Sequence, residues 1–496
     1  MSTDLSGKDQ AYLEVAESSS SIEYNKEDRA ARFTKKKSWS DIFTIICAGA
    51  ALISDGYQNN VMSMMNLVFA KEYPDLYDAT LKTRVSNALL VGAVLGQVVV
   101  GLTCDYMGRK WAILSTTLLI VVGSILCTAA HGVTTLGMFW MIIVARGITG
   151  FGVGGEYPAS STSASESANE TSKRRGGVFV LVTNLPLSLG GPFALIVFLI
   201  VYSATGTGAH LSTTWRVCFG IGVIWPLSVF YFRWKMATSV LYKKAAIKHN
   251  VPYFLVFKYY WRRLLGTCGC WFIYDFVTFP NGVFSSTIIS SVIDDSSDLI
   301  KVGEWNLLLG IIAIPGVLVG AYLVDKIGRK YTMIVGFAGY LVIGLVIGCS
   351  YFHIKNIVPL FIVFYGLFNS FGNLGPGDTM GLTSAECYAT PVRGTLYGLS
   401  AALGKTGAAV GTQCFTPIQT HLGKEWTFII AAILGFIGVV IAWFCIPHLT
   451  DDDLMMEDVK FEKYLKSKGW TGSFGLDDEK TVLNNGDVEL EDAVKA

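Results

Sequence analysis

The sequence is short of charge. Only 16% of its 496 residues are Asp, Glu, Lys or Arg, and 39 basic against 38 acidic residues leave a formal net charge of +1. That balance excludes a strongly basic nucleic-acid binder, and where the charges fall matters more than their sum. Histidine is scarcer still. His131, His210, His249, His353, His421 and His448 are scattered near loops and segment ends. They assemble no nucleophile–base pair and no metal cluster, so no catalytic residues and no enzyme are expected. No Gly-rich phosphate loop followed by Lys-Ser/Thr occurs, which excludes ATP as an energy source. The ten cysteines all lie in or beside apolar segments, and Cys268 and Cys270 have no second Cys or His pair nearby. Disulfides, a metal site and cofactors are therefore not expected. Residues 1–38 lack the short apolar core of a cleavable signal, leaving targeting to the first apolar segment.

What is abundant is apolar sequence. With 52% hydrophobic residues and 52 glycines, the chain reads as a helical protein that crosses a membrane many times. Apolar runs of about 20 residues fall near 41–65, 84–104, 111–130, 137–158, 176–202 and 215–232, then near 263–290, 305–324, 331–351, 358–381, 393–416 and 426–447. The expectation is an all-α polytopic membrane protein with two six-helix bundles, 39–232 and 263–447. A central loop, 233–262, joins them, and polar tails cover 1–38, expected to be disordered, and 448–496. Basic residues crowd one set of span ends, among them Lys35 to Lys37, Arg109, Lys173 to Arg175, Arg233, Arg262, Arg263 and Arg329, while Glu72, Asp75, Asp294, Asp295 and Glu304 mark the other. The positive-inside rule then puts both termini and the central loop in the cytoplasm.

The two halves repeat one another at an offset of 220 residues. Asp55 maps to Asp275, Asp105 to Asp325, Gly108-Arg109-Lys110 to Gly328-Arg329-Lys330, and Glu166 to Glu386. A parallel repeat of six spans predicts two bundles that face each other across a midplane site and rock to open either side. GLTCDYMGRK (101–110) and AYLVDKIGRK (321–330) each place an acid at the end of one helix and a basic pair at the start of the next. Both resemble the signature loop of the major facilitator superfamily, with Ala321 in place of the usual first glycine. They imply that Asp105, Arg109, Asp325 and Arg329 are gating residues; Arg146, Glu166, Arg175, Glu386 and Arg393 complete the expected gating set.

Within the spans, isolated charges are the informative residues. Lys405 sits midway along RGTLYGLSAALGKTGAAVGTQCF (393–415), a Gly/Ala-rich run. An ammonium at that depth costs roughly 2.5–3.5 kcal/mol on insertion scales, so it is retained where it meets an anion. That anion is either a substrate or a carboxylate on a neighbouring helix. In the first half, Arg146 and Glu156 lie ten residues apart on one span, with Gly147, Gly150, Gly152, Gly154 and Gly155 between them. Glycines allow close helix packing, and a carboxylate beside a moving interface suits proton transfer. Glu156 is the first candidate proton carrier; its competing role is a fixed salt bridge to Arg146.

GGEYP followed by a Ser/Thr-rich segment and KRRG, ALISDGY on the first span, WFIYDF on the seventh and GLSAALGK on the eleventh resemble the phosphate:H+ symporter family of the major facilitators. SDGYQNNVMSM, VTNLPLSLGGPF, YDFVTFPNGVFSSTIISSVI, SAECYATPVRGT and GWTG are similar to the fungal glycerophosphoinositol permeases within it, from about residue 29 to about 475. The resemblance implies that Lys405 binds phosphate, that Asp275 meets substrate or proton beside it, and that Asp55 and Glu156 are protonation sites. It makes Tyr157, Asn184 and Trp271 lining residues. Two positions depart from the phosphate transporters: Phe279 replaces a Tyr one turn beyond Asp275, and Asp378 replaces an Asn after Gly377. Fewer phosphate donors and one more carboxylate argue against bare inorganic phosphate and for a larger phosphodiester, whose polyol hydroxyls would donate to Asp378 or Asp275.

The implied function is a proton-coupled importer of a small organic phosphate, glycerophosphoinositol before glycerophosphocholine or inorganic phosphate, in a plasma membrane. Its partners would be protons, substrate and the lipid bilayer, with no nucleic acid, and the protein would act as a monomer. A nutrient receptor that does not transport is the alternative from a different class.

Overall fold

The structure, a computed structural model, describes residues 39–171, 175–234, 251–293, 298–449 and 454–470. Every regular element among them is helical. The first half holds α1 (Trp39–Glu72), α2 (Ala79–Met107), α3 (Arg109–Thr128), α4 (Thr135–Thr171), α5 (Arg175–Ala204) and α6 (Leu211–Trp234). The second holds α7 (Tyr253–Val283), α8 (Leu299–Lys326), α9 (Arg329–Cys349), α10 (Val358–Glu386), α11 (Arg393–His421) and α12 (Trp426–Cys445), and a further helix, α13 (Leu454–Ser467), follows.

In lipid only a helix or a closed barrel satisfies its own backbone, so long apolar helices are what the composition requires. Nine of the helices among the described residues are long and apolar enough to cross a membrane. The other three of the twelve, α1, α7 and α11, are 34, 31 and 29 residues long. They carry polar groups along their length, including Asp55, Gln58 and Asn59 on α1, Asp275 on α7 and Lys405 on α11. Large apolar side chains such as Leu95, Trp111, Ile200, Tyr322 and Phe436 are exposed on the outer surface, where acyl chains would cover them.

The sequence repeat is also a structural one. Gly108 and Gly328 close the two tight turns with φ of 88° and 84°, a conformation that a Cβ disfavours. The halves meet along two equivalent seams, α2 against α11 and α8 against α5. At the first seam a methyl on Gly101 would sit 2.9 Å from the Gly398 Cα, so the backbones approach as closely as two glycines permit. With no hydrophobic drive between helices in lipid, such close packing is what holds the halves together.

The structure departs from the hydropathy reading in three places. α7 begins at Tyr253, ten residues inside the stretch expected as the central loop, and ends at Val283, with a short helix Ser285–Ser290 after it. α10 is broken by a π-helical turn, Asn373–Gly377, whose Pro376 has no N–H to give the ladder. α13 falls in the polar tail and docks through Phe461 and Leu465, both fully buried, onto a cluster with Val256, Tyr260, Leu264, Tyr388 and Val392. A count of long apolar runs does not register a 14-residue helix with two apolar anchors.

Candidate transport site

Between the halves lies a cavity of about 250 Å³, walled mainly by α1, α4, α5, α7, α8, α10 and α11. On one wall Lys405 Nζ donates to Asp275 Oδ2 at 2.8 Å, with the two side chains 3% and 1% exposed. The ammonium lies 3.8 Å from the Phe279 ring centroid and 5.4 Å from that of Tyr157, so two aromatic faces share its charge. Trp271 stands edge-on to Tyr397 at 5.5 Å and packs against Gly404, one residue before the lysine. Small residues on α11 thus let α7 come close enough for the ion pair.

Elsewhere on the wall Asn184 of α5 donates a very short hydrogen bond to Asp378 Oδ1 of α10, directly after the π-turn. All seven residues expected to bind substrate (Lys405, Asp275, Tyr157, Asn184, Trp271, Phe279 and Asp378) line this one cavity.

The two other expected proton sites stand one layer behind the wall. Glu156 pairs with Arg233 of α6, which also donates to Thr117, and both charged side chains are buried. Arg146 is not its partner: it lies nearly three turns away on the same helix, donates to the Val85 carbonyl at 3.1 Å and stacks over Phe219. Arg146 was also expected to gate, but these contacts all lie within the first half. Asp55 is fully buried, and neither of its carboxylate oxygens has a hydrogen-bond partner among the described residues. The charged groups acting on it are Glu156, Arg233 and Lys405.

Closure of the cavity differs between its two ends. On the face where α1 begins and α12 ends, here the terminal face, Asp105 accepts from the backbone N–H of Gly394 and Thr395 and from Thr395 Oγ1, at 3.2, 2.7 and 2.8 Å. In the equivalent place Asp325 accepts from the Gly177 N–H at 3.1 Å. Each signature-loop acid therefore caps the first turn of a helix in the opposite half, where the helix dipole favours an anion. Arg329 grips Glu386 with two bonds of 2.8 and 3.0 Å, and buried Arg393 donates to the Tyr388 carbonyl. The side chains of Arg109, Glu166 and Arg175 lie outside the described residues.

On the far face Ser63 of α1 bonds Ser285 and Ser286 at 2.9 and 2.6 Å, and Asn306 of α8 reaches Ser63 and Ser286 at 3.1 and 2.7 Å. Polar contacts thus bridge the halves on both sides of the cavity. Sequence reasoning missed this far-face cluster, although a stripe of Gly56, Asn59, Asn60 and Ser63 at helical spacing on α1 was there to be read. It also missed Arg233, which it counted only as one of the basic residues at a span end.

Comparison with known proteins places these features in context. The family model for sugar (and other) transporters matches residues 42–461. Glycerophosphoinositol permease 1 of Candida albicans is 59% identical over 96% of this chain and 95% of its own length. Glycerophosphoinositol transporter 1 of Saccharomyces cerevisiae is 58% identical over 94% and 92%. A solved structure of the proton:xylose symporter XylE, a major facilitator bound to 6-bromo-6-deoxy-D-glucose, superposes with a TM-score of 0.74 at 15% identity, covering 85% of this chain and 99% of that one. That likeness establishes the fold.

Proposed function

The chain belongs to the sugar (and other) transporter family, and we propose that it imports glycerophosphodiesters, glycerophosphoinositol first among them, together with protons. The observation that carries this reading is the buried Lys405–Asp275 pair in the wall of a cavity between two repeated bundles. Two relatives that match over nearly their whole length are a glycerophosphoinositol permease and a glycerophosphoinositol transporter rather than enzymes.

The geometry supports a cycle. A phosphodiester carries one negative charge, and the ammonium that meets it is already held by Asp275. When the phosphodiester takes Asp275's place on Lys405, a second anion is left in a dry site, where an unpaired charge costs several kcal/mol. A proton on Asp275 removes that cost. Substrate and proton therefore enter together, and after opening to the other side both leave as Lys405 and Asp275 pair again. Asp55, buried with no hydrogen-bond partner among the described residues, is the second proton site. Glu156 is held by Arg233, and their pair positions α4 against α6. One proton per monoanion is electroneutral, and a second lets the membrane potential drive uptake.

The basic terminal face is cytoplasmic, the far face looks toward the exterior of a plasma membrane, and the protein works as a monomer. The test is uptake of labelled glycerophosphoinositol by transporter-null yeast expressing the chain, at acidic and neutral pH, beside Lys405→Ala. Acid-stimulated uptake lost in the variant is the expected result. No uptake despite normal surface expression overturns the reading in favour of a receptor.

A further inference from the structure

We infer that a groove on the lipid-facing side of α2 and α4 binds one phospholipid of the far leaflet, its phosphate on Arg84 and one acyl chain laid past Gly147. The site lies on the outer wall of the first half, apart from the central cavity, and does not depend on what is transported.

The groove has a volume of about 850 Å³, with α2 and α4 as its sides and Leu119 of α3 and Gln413 of α11 completing it. Both sides start at the far face. Arg84 is five residues into α2 and Trp140 five residues into α4, with the guanidinium carbon 6.0 Å from the indole centroid. That is the depth at which Trp and Arg anchor in the headgroup region. Beyond them the lining turns apolar, through Val91 and Val144 to Leu95 and Phe151. Leu95 and Phe151 each lie eleven residues further along their helix, about 16 Å at 1.5 Å per residue. One leaflet of hydrocarbon is about 15 Å deep. The groove therefore has a polar end and an apolar length that match a single lipid chain.

Gly147 is what leaves it open. The glycines between Arg146 and Glu156 serve close packing at Gly150, Gly152, Gly154 and Gly155, where an added Cβ would come within 2.1 to 2.7 Å of a neighbouring atom. A Cβ on Gly147 would meet nothing nearer than the Ala88 carbonyl oxygen, at 3.9 Å. Glycine inside a helix is costly, and here no packing contact requires it. The space it leaves is groove.

Charge decides the occupant. Arg84 is exposed, and among the described residues no carboxylate pairs with it. A guanidinium holds a phosphate by two parallel bonds. A sterol brings a hydroxyl and no charge, so it leaves Arg84 unanswered. Inorganic phosphate answers Arg84 and leaves the apolar length empty. A phospholipid supplies both parts. Asn87, one turn beyond Arg84, donates to the Ala409 carbonyl at 3.2 Å and to Gln413 Oε1 at 3.3 Å, so the headgroup end sits on the seam between α2 and α11. A lipid seated there touches both halves.

The full chain would be reconstituted in vesicles of phosphatidylcholine and ergosterol holding a trace of phosphatidylcholine with a diazirine near the end of one acyl chain. After photolysis, peptide mapping compares labelling around Leu95 and Phe151 with that of α12, whose exposed Phe436 reports ordinary annular lipid. A photoactivatable sterol is run in parallel. Wild type should show roughly fivefold enrichment of the phospholipid label at the groove. Gly147→Leu, which fills the groove where a Cβ has room, and Arg84→Gln, at an exposed position, should each bring it down to the α12 level. Equal labelling of groove and α12 in wild type means annular lipid only and overturns the site, as does enrichment that survives both variants. Loss in Gly147→Leu alone, or stronger labelling by the sterol, overturns the phosphate contact on Arg84 and with it the phospholipid.

Discussion

The two ends of the cavity close by different chemistry. At the terminal face two carboxylates, Asp105 and Asp325, each sit on the N-terminus of a helix in the opposite half, so closure there is ionic and two-fold symmetric. At the far face hydroxyls and a carboxamide make most of the contacts: Ser63, Ser285, Ser286 and Asn306 share short neutral bonds, and one ammonium, Lys82 at the start of α2, donates to Thr287 at 2.9 Å. Charge-assisted bonds are about twice as strong as neutral ones. With four bonds to carboxylates at the terminal face against one from an ammonium at the far face, the terminal face is held more firmly and the easier opening is the far face. An importer that must present its site outward when empty needs that bias.

Breaking the stronger end gives the largest effect. Asp105→Ala removes two backbone caps and one hydroxyl bond from the start of α11. At about 3 kcal/mol for the set, the balance moves roughly hundredfold toward a terminal-open state. Since apparent affinity falls with the fraction of binding-competent protein, the half-saturating substrate concentration from the far side should rise by a similar factor. Concentration dependence of uptake measures it, and labelling of a cysteine placed at Gly394 from the terminal side should rise in step. Unchanged affinity and labelling would show the two closures to be equal.

A smaller loss is expected one contact further from the seam. Asp458 of α13 accepts from the Thr390 N–H at 2.6 Å and from its hydroxyl at 2.8 Å, and neighbouring Glu457 pairs with Arg263 of α7 at 2.8 Å. α13 thus clamps the α10–α11 connection five residues before Thr395. Asp458→Ala should leave Phe461 and Leu465 seated while costing about 1–2 kcal/mol, a shift of roughly tenfold in the same direction as Asp105→Ala. Protease nicking of the tail should rise with it. Nicking without any change in half-saturation would separate α13 from the closure.

The same contrast explains what could be read in advance. Charges on an apolar background stand out in one dimension, so Lys405, Asp275, Asp378 and the paired turns at Gly108 and Gly328 were legible, and with them the repeat and the cavity wall. Partners were less so, because pairing is set by helix rotation. Glu156 meets Arg233 across two helices and not Arg146 along its own. Neutral polar residues carry almost no signal among so many Ser, Thr and Asn, which hid the far-face cluster. The π-turn at Asn373–Gly377 was hidden too, since NLGPG reads as an ordinary proline kink until the backbone shows the extra residue.

Ser63→Ala should have the smallest effect and the opposite sign. The hydroxyl touches Ser285, Ser286 and Asn306; without it Asn306 still donates to Ser286 at 2.7 Å and Ser285 to the Gly282 carbonyl, while the Ser286 N–H loses an acceptor at 3.3 Å. The loss is that long bond and the neutral hydroxyl contacts, about 1 kcal/mol. That is roughly fivefold toward the far-open state. Here the competent population grows, so half-saturation should fall, by at most that factor, where Asp105→Ala raises it. The double variant sharpens the comparison further: the two sites are far apart and share no partner, so their effects on half-saturation should add as free energies. A Ser63→Ala that raises half-saturation would place the firmer closure at the far face and reverse the order of strengths drawn from the geometry.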